Sequence, residues 1–338
     1  MSSCKGVLPK GFSIDDKYSI LLFIKQGSNA ETYRVKGTDG KLYFLKLFNY
    51  SKLHRSAFDS DNNLLEIELL KNVKHENIVY YKDSGEVIYE SKKFGYLVLN
   101  FIAGETLAER ISREMFNNYY DIKQIISDVL IGLNYLHSLP EPIIHNEITT
   151  QNIILDLSSD IPKAKIIDFG FARSFHQSTK AYNKVGLNLN YVASECFNAL
   201  YSPQSDIFSV GAVMYQLLFG LPPWFKDISK FQADRTNAEE TILNERSKPL
   251  IFPKISDDFV GYHENINLIL KKALSQGTEN RFQSANEFID AINGDNEVGD
   301  VDKVQKIKSG DKPEKKIQSK KAKGKGFDAI AGMKELKA

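Results

Sequence analysis

Cysteine is nearly absent: of 338 residues only Cys4 and Cys196 carry a thiol. Two thiols with no C-x-x-C pair and no Cys/His cluster exclude a disulfide framework and a structural zinc site, and they point to a reducing compartment. Long apolar runs are missing too. The longest stretch, residues 207–225, contains Gln216 and closes on Pro222-Pro223, so it reads as a buried helix ending in a turn and not as a membrane span. The opening MSSCKGVLPKGF lacks the apolar core of a secretory signal, and a cytoplasmic location is expected. Nor is there an excess of one charge sign: 44 Lys+Arg face 43 Asp+Glu. That balance gives no sign of a specific nucleic-acid or membrane partner.

What remains is an ordinary globular composition, 42% hydrophobic and 26% charged, in a chain long enough for one large domain or two. Up to about residue 102, short segments rich in β-branched and aromatic residues (18–25, 32–35, 42–48, 79–89 and 96–102) are separated by turns and predict strands. One helix interrupts them, marked by Leu64, Leu65, Ile67, Leu69, Leu70 and Val73 at helical spacing. Beyond residue 104 the pattern turns helical, at about 105–112, 118–138, 203–220, 236–245, 263–276 and 284–293. A small β-rich part followed by a larger helical part is an α+β arrangement, and the cleft between them is the expected ligand site.

After Asn293 the composition shifts. Residues 294–326 are rich in lysine and poor in large apolar residues, which predicts a flexible linker. Residues 303–338 carry 12 lysines against 4 acids, a net of +8, which leaves −7 on residues 1–302 of a chain whose total is +1. The apparent neutrality is therefore a cancellation. A solvated tether is the favoured reading of this basic stretch over one that pairs with acidic surfaces.

Several motifs occur in a telling order. Lys46 ends the strand Tyr43-Phe44-Leu45-Lys46, and Glu66 lies in EIELLKNVKHENIV. HNEITTQNIIL occupies 145–155, Asp168-Phe169-Gly170 follows Lys165-Ile166-Ile167, and Ala193-Ser194-Glu195 and DIFSVG come after. Together they resemble the eukaryotic-type serine/threonine protein kinase family over about residues 15–293. The resemblance implies a bilobal fold, with an N-lobe at about 15–101, a C-lobe at about 104–293 and residues 1–14 as an extension. It implies ATP and Mg²⁺ as cofactors, and a protein substrate or signalling partner. Lys46 and Glu66 would pair to orient the phosphates, while Asn152 and Asp168 would hold Mg²⁺. Gly27 would belong to the phosphate loop and Leu99 to the gatekeeper position. Backbone groups near Asn100 and Ile102 would meet the adenine edge, with Ile154 beneath it. Glu105 matches a ribose-contacting acid, or equally a helix N-cap or first-turn glutamate. Asp206 would accept hydrogen bonds from the catalytic-loop backbone, and Glu195 and Arg281 would form a buried ion pair.

The departures from that pattern bear on function. In the phosphate loop, Lys25-Gln26-Gly27-Ser28-Asn29-Ala30-Glu31-Thr32, Gly27 alone survives of three glycines, and Lys25 supplies a charge. Phe44 replaces the small roof residue of the adenine slot. Its ring either fills the slot or turns aside. Glu147 stands in the position of the catalytic aspartate, Asn146 replaces the preceding arginine, Thr149 a lysine and Leu187 a threonine. An extra methylene moves a carboxylate by about 1 Å, enough to cost ~10²-fold in rate. Two expectations follow: a kinase of reduced or atypical activity in which Glu147 orients the hydroxyl, or a pseudokinase whose pocket Phe44 plugs. Ser174, Ser178, Thr179 and Tyr182 are generic phosphosite candidates only.

Residues 327–338, FDAIAGMKELKA, resemble the entry segment of an AAA+ ATPase module, but no phosphate loop follows. A fused or separate AAA+ ATPase is the partner this implies, and the chain would then be a fragment of a longer protein. A short docking helix and a frayed end are the competing readings.

Overall fold

The strand pattern of the first hundred residues becomes one antiparallel sheet in the computed structural model, which describes residues 6–175, 187–231 and 234–294. The linker beyond residue 294, the 327–338 segment and Ser178, Thr179 and Tyr182 lie outside the described residues. The sheet contains β1 (Ser13–Ile14), β2 (Tyr18–Gln26), β3 (Glu31–Gly37), β4 (Leu42–Asn49), β5 (Tyr81–Tyr89) and β6 (Lys92–Asn100), in the order β1-β2-β3-β4-β6-β5. Period-two alternation sorts the side chains onto two faces. Tyr33, Val35, Tyr43, Leu45, Leu47, Tyr96 and Val98 form one small core. Phe44, Lys46, Leu97 and Leu99 share the opposite face, because Phe44 pairs with Leu99 and Lys46 with Leu97. A one-residue slip would exchange the two sets, so burial of the first fixes what the second presents to the cleft.

Residues 6–14 do more than extend the chain. Leu8 and Ile14 are buried in that outer core, with Phe12 packed against it. The Val7 amide donates to Glu31 Oε2 at 2.8 Å, and the Leu8 amide to the Tyr33 hydroxyl at 3.0 Å. Two-residue β1 offers no alternation from which a sequence could announce it.

The single helix of this half, α1 (Leu65–Lys71), buries Leu65, Ile67 and Leu70, and also Glu66. It is shorter than its apolar pattern, 64–73, because Leu64 sits in extended backbone at its start and Asn72 ends it. The helical half follows: β7 (Gly104–Thr106), α2 (Leu107–Arg113), α3 (Tyr119–His137), β8 (Ile143–Ile144), β9 (Ile153–Asp156), β10 (Lys163–Ile166), β11 (Arg173–Ser174), α4 (Pro203–Phe219), α5 (Arg235–Arg246), α6 (Asn265–Ala273) and α7 (Ala285–Gly294). The helix expected from residue 105 begins at 107, since residues 104–106 pair with β9 and Thr106 caps the helix reciprocally with Glu109.

Helix α4 is the stretch that superficially resembles a membrane span. It is apolar on every side because other elements surround it: Ile207, Phe208, Val210, Val213, Met214 and Leu217 are all fully buried. Pro203 in its first turn, the Ser202–Ser205 capping box and Gly220 in the left-handed region at φ 90° bound it. No helix among the described residues is long and apolar enough to cross a membrane. Arg281, with no exposed side-chain area, ties the far end of this half together. Its Nη1 and Nη2 donate to Glu195 Oε1 and Oε2 at 2.6 and 2.9 Å.

Candidate functional site

Two sheets and one loop bring the motif residues together across the cleft. Lys46 points from β4 toward α1, where burial of the helix's apolar face turns Glu66 inward. Its Nζ lies 2.6 Å from Glu66 Oε1 and 2.7 Å from Asp168 Oδ1. Burial disfavours the ammonium, but Asp168 and Glu66 outweigh it and hold Lys46 above its ordinary pKa. Glu66 is pushed up by its own burial, against the attraction of Lys46. At Asp168 burial also raises the pKa, yet Lys46 overcomes it and the carboxyl lies below its ordinary value. The fork thus sets two carboxyl groups against one ammonium.

Asp168 adopts φ 66°, left-handed backbone that aspartate visits more readily than bulky residues do. Its Oδ1 also accepts from the Gly170 amide at 3.2 Å. Phe169 is fully buried, edge-on to His145 at 4.9 Å. The catalytic loop hangs from α4: the amides of His145 and Asn146 donate to Asp206 Oδ2 and Oδ1 at 2.8 and 2.9 Å. Asn146 also has a left-handed φ, 66°, which asparagine tolerates better than the arginine it replaces. Its Nδ2 donates to the Phe171 carbonyl at 3.0 Å, tying this loop to the segment after Asp168.

Glu147 turns its carboxylate back into the loop. Asn152 Nδ2 donates both to the Glu147 carbonyl and to Glu147 Oε2, each at 3.0 Å. Burial first, and then the nearby charge of Asp168, push the Glu147 carboxyl up to about 8. Because the donor end of the Asn152 amide is spent on Glu147, its Oδ1 remains as an acceptor. Asn152 Oδ1 and Asp168 Oδ2 take no hydrogen bond from the described residues. Both are hard oxygen donors, and an extra cation would relieve the two carboxyl groups that converge on the single Lys46 ammonium. The pair therefore fits Mg²⁺, which takes one or two protein oxygens and completes its shell with phosphates and water. No cluster of three or more acidic, His or Cys ligands occurs among the described residues, so phosphate oxygens would be needed to complete the shell.

The remaining candidates fall around this centre. The Gly27 amide donates to the Ala30 carbonyl at 2.8 Å and closes the phosphate loop. The loop tip comes down on the Asp-Phe-Gly turn: a Cβ on Gly170 would lie 3.7 Å from Asn29 Nδ2. At the lobe junction, Leu99 is buried, the Asn100 amide is engaged by the Tyr80 carbonyl at 2.9 Å, and Ile102 and Ile154 are buried. Glu105 corrects one expectation. It is neither the N-cap nor in the first turn of α2. Thr106 takes the N-cap, and Glu105 Oε1 in β7 accepts from Arg113 Nη2 at 2.8 Å. The ring of Phe44 stacks on Phe101, the centroids 5.1 Å apart and the planes 29° from parallel, and Arg34 lies over Phe101 at 5.3 Å. Sequence reasoning identified neither contact of Phe101, because one joins β4 and the other β3 to the hinge. It also missed Arg173, whose Nη2 donates to the Ser56 carbonyl at 2.9 Å and links the segment after Asp168 to the sheet half. Beside Glu147 a cavity of about 470 Å³ opens, lined in part by Thr149, Leu187, Asn188, Phe225 and Arg235.

This arrangement, a lysine forked between a helix glutamate and the aspartate of an Asp-Phe-Gly turn, above a loop hung from a buried aspartate, agrees with comparison to known proteins. Residues 18–290 match the family described as protein kinase domain. The chain belongs to that family. The kinase domain is 31% identical over 214 residues to calcium-dependent protein kinase 4 of Plasmodium falciparum (isolate 3D7), covering 62% of this chain and 39% of that protein. The counterpart of Plasmodium berghei (strain Anka) is also 31% identical, over 213 residues, with the same coverage. Myosin light chain kinase A of Dictyostelium discoideum is 29% identical over 187 residues, 55% of this chain and 60% of that protein. The kinase domain thus spans less than two thirds of the length of these relatives. The bilobal α+β fold expected from the motifs is the fold observed.

Proposed function

We propose that this kinase domain binds Mg·ATP and transfers the terminal phosphoryl group to serine or threonine hydroxyls of protein substrates, at a rate reduced by its altered catalytic loop. The observation that carries this reading is the Lys46 fork, 2.6 Å from Glu66 and 2.7 Å from Asp168. It is assembled as phosphate binding requires, although the loop nearby has diverged. Asp168 and Asn152 would hold Mg²⁺, which would supply positive charge to neutralise the phosphates. Lys46 would orient the phosphates, Gly27 would let the loop backbone approach them, backbone groups near Asn100 and Ile102 would meet the adenine edge, and Ile154 would lie beneath the base. Glu147 would accept a hydrogen bond from the substrate hydroxyl, and the cavity beside it would receive the peptide. The buried free thiol of Cys196 suits the cytoplasmic location in this reading. The likeness of residues 327–338 to an AAA+ entry segment makes such an ATPase, fused or separate, a candidate partner.

A second reading has one specific observation in its favour. The stack of Phe44 on Phe101 gives the ring a fixed partner at the hinge, which suits a pseudokinase whose adenine slot is filled and which works by binding other proteins. Thermal melting with increasing Mg·ATP separates the two. A nucleotide at ~100 times its Kd adds about 2.7 kcal/mol to stability. Stabilisation of the wild-type protein supports nucleotide binding. No shift at millimolar nucleotide, together with a shift gained by Phe44→Ala, would establish the plug instead.

The position of Glu147 gives the reaction a pH signature. With its carboxyl pushed up to about 8, only about a tenth is ionised at pH 7, and a protonated acid cannot take the hydroxyl proton. The kcat/KM for phosphoryl transfer should therefore rise about tenfold between pH 7 and pH 9, and Glu147→Gln should flatten that limb. The stability effect has the opposite direction. The neutral form suits the buried site, so the contribution of Glu147 is fully present below its ordinary value and is lost as pH rises through about 8. A pH–rate profile flat over this range in the wild type would remove Glu147 from the reaction.

A further inference from the structure

Lys25 stands where the kinase pattern has its first phosphate-loop glycine, and Thr149 where it has a catalytic-loop lysine. We propose that Lys25 is a phosphate-binding residue, supplying from the roof of the cleft the cation that the floor has lost. This inference rests on the nucleotide-binding reading above.

The sheet register places the side chain. Lys25 on β2 pairs with Thr32 on β3, and Thr32 pairs with Lys46 on β4. Residues directly opposite one another project from the same face. With neighbouring strands about 4.8 Å apart, the two lysine backbones lie about 10 Å apart on the cleft face. Strict alternation would not have done this. Phe23 pairs with Tyr33 and faces the outer core, and two residues on, Lys25 would share that face. A register shift between Phe23 and Lys25 leaves Ile24 without a paired partner on β3. The extra residue turns Lys25 over to the cleft, the re-aiming that a β-bulge performs.

The ammonium is also uncommitted. Lys46 is bound to Glu66 and Asp168, whereas the exposed Lys25 side chain forms no hydrogen bond or ion pair with the described residues. Its charge reaches Asp168, where it helps to hold the carboxyl down. Ahead of it lie Glu66 and Asp168 with the one lysine between them. A phosphate chain entering that field needs a second cation, and a long, flexible lysine is a point-charge phosphate binder.

Titration calorimetry with Mg·ATP on the wild type, Lys25→Ala and Lys25→Arg tests this, alongside melting of each free protein. A charge-assisted hydrogen bond corresponds to a change of about 10- to 100-fold in affinity. Lys25→Ala should weaken Mg·ATP binding by that factor, Lys25→Arg should keep most of it, and all three free proteins should melt alike, since the side chain is exposed. Unchanged affinity in Lys25→Ala overturns the inference and leaves the nucleotide reading standing. An equal loss in Lys25→Arg also overturns it, because the charge is then not the cause. A wild type that does not bind Mg·ATP overturns both.

Discussion

Asp168→Asn is expected to erase the magnesium-dependent part of nucleotide stabilisation and to lower phosphoryl transfer by about 10³-fold or more. In the proposed reaction Asp168 has two duties. Its Oδ1 receives Lys46 and the Gly170 amide, while Oδ2, which takes no hydrogen bond from the described residues, would face the metal. Asparagine keeps the size but loses the charge that a divalent cation and a transferring phosphoryl group both need. Preorganised electrostatics of this kind account for several kcal/mol of transition-state stabilisation. The fold should survive the exchange, because Glu66 still compensates Lys46 at 2.6 Å. The measurement is melting with ATP plus Mg²⁺ against ATP plus EDTA. In the wild type the two curves should separate, and in the variant they should coincide. A magnesium-dependent separation that persists without Asp168 would move the metal site elsewhere.

The largest loss of stability is expected far from the cleft. Arg281→Ala should cost about 3–5 kcal/mol, because it leaves the largely enclosed Glu195 carboxylate with only the Ser205 hydroxyl as a partner. The Arg281 guanidinium is fully enclosed. It donates to both oxygens of Glu195 and to the carbonyls of Ser275, Gln204 and Gln276, and it lies 5.0 Å over the Phe208 ring. Truncation strands all of these acceptors together. In a domain of this size, a loss of that order lowers Tm by about 10 °C. Arg281→Lys should recover only part of it, since an ammonium cannot present a planar fork. Lys254 and Asp257 form a control pair at 3.5 Å with both side chains more than four-fifths exposed. Removing it should change stability by no more than about 0.5 kcal/mol. Urea unfolding of the three variants would rank them, and a small effect for Arg281→Ala would show that the site collapses around the vacancy.

The motifs were legible because each of them is local. Lys46, Glu66, Asn152 and Asp168 could be singled out from strings of a few residues, and the structure brings them into one cluster. The helices followed their apolar periodicity to within a few residues, as at α4 and α5. Features created by register were not legible. Lys25 faces the cleft only because a bulge follows Phe23, and an extra residue within an apolar run gives no sign of its own. The stack of Phe44 on Phe101 joins a strand to the hinge, a contact between elements far apart in the chain. One of the two readings of Glu105, the helix start, failed for a subtler reason. Both Glu105 and Thr106 suit a helix start, and pairing of Gly104–Thr106 with β9 decided between them. Residues 6–14 looked like an extension because the exposed outer face of the sheet, which they cover, cannot be identified from their own composition.

The suspension of the catalytic loop from Asp206 has a consequence for how this protein can change. Asp206 is completely buried, and besides the two loop amides its Oδ2 contacts His137 Nε2 at 2.9 Å. Opening the loop backbone would strip this buried carboxylate of two donors, which couples the loop's stability to that of the helix beneath it. Of the side chains at 147 and 149, Glu147 reaches only Asn152 within the loop, and neither carries the suspension from Asp206. Evolution could exchange an aspartate for Glu147 or a lysine for Thr149, in either direction, and alter the chemistry while leaving the architecture undisturbed. That separability is how a scaffold drifts between enzyme and binding module by way of folded intermediates.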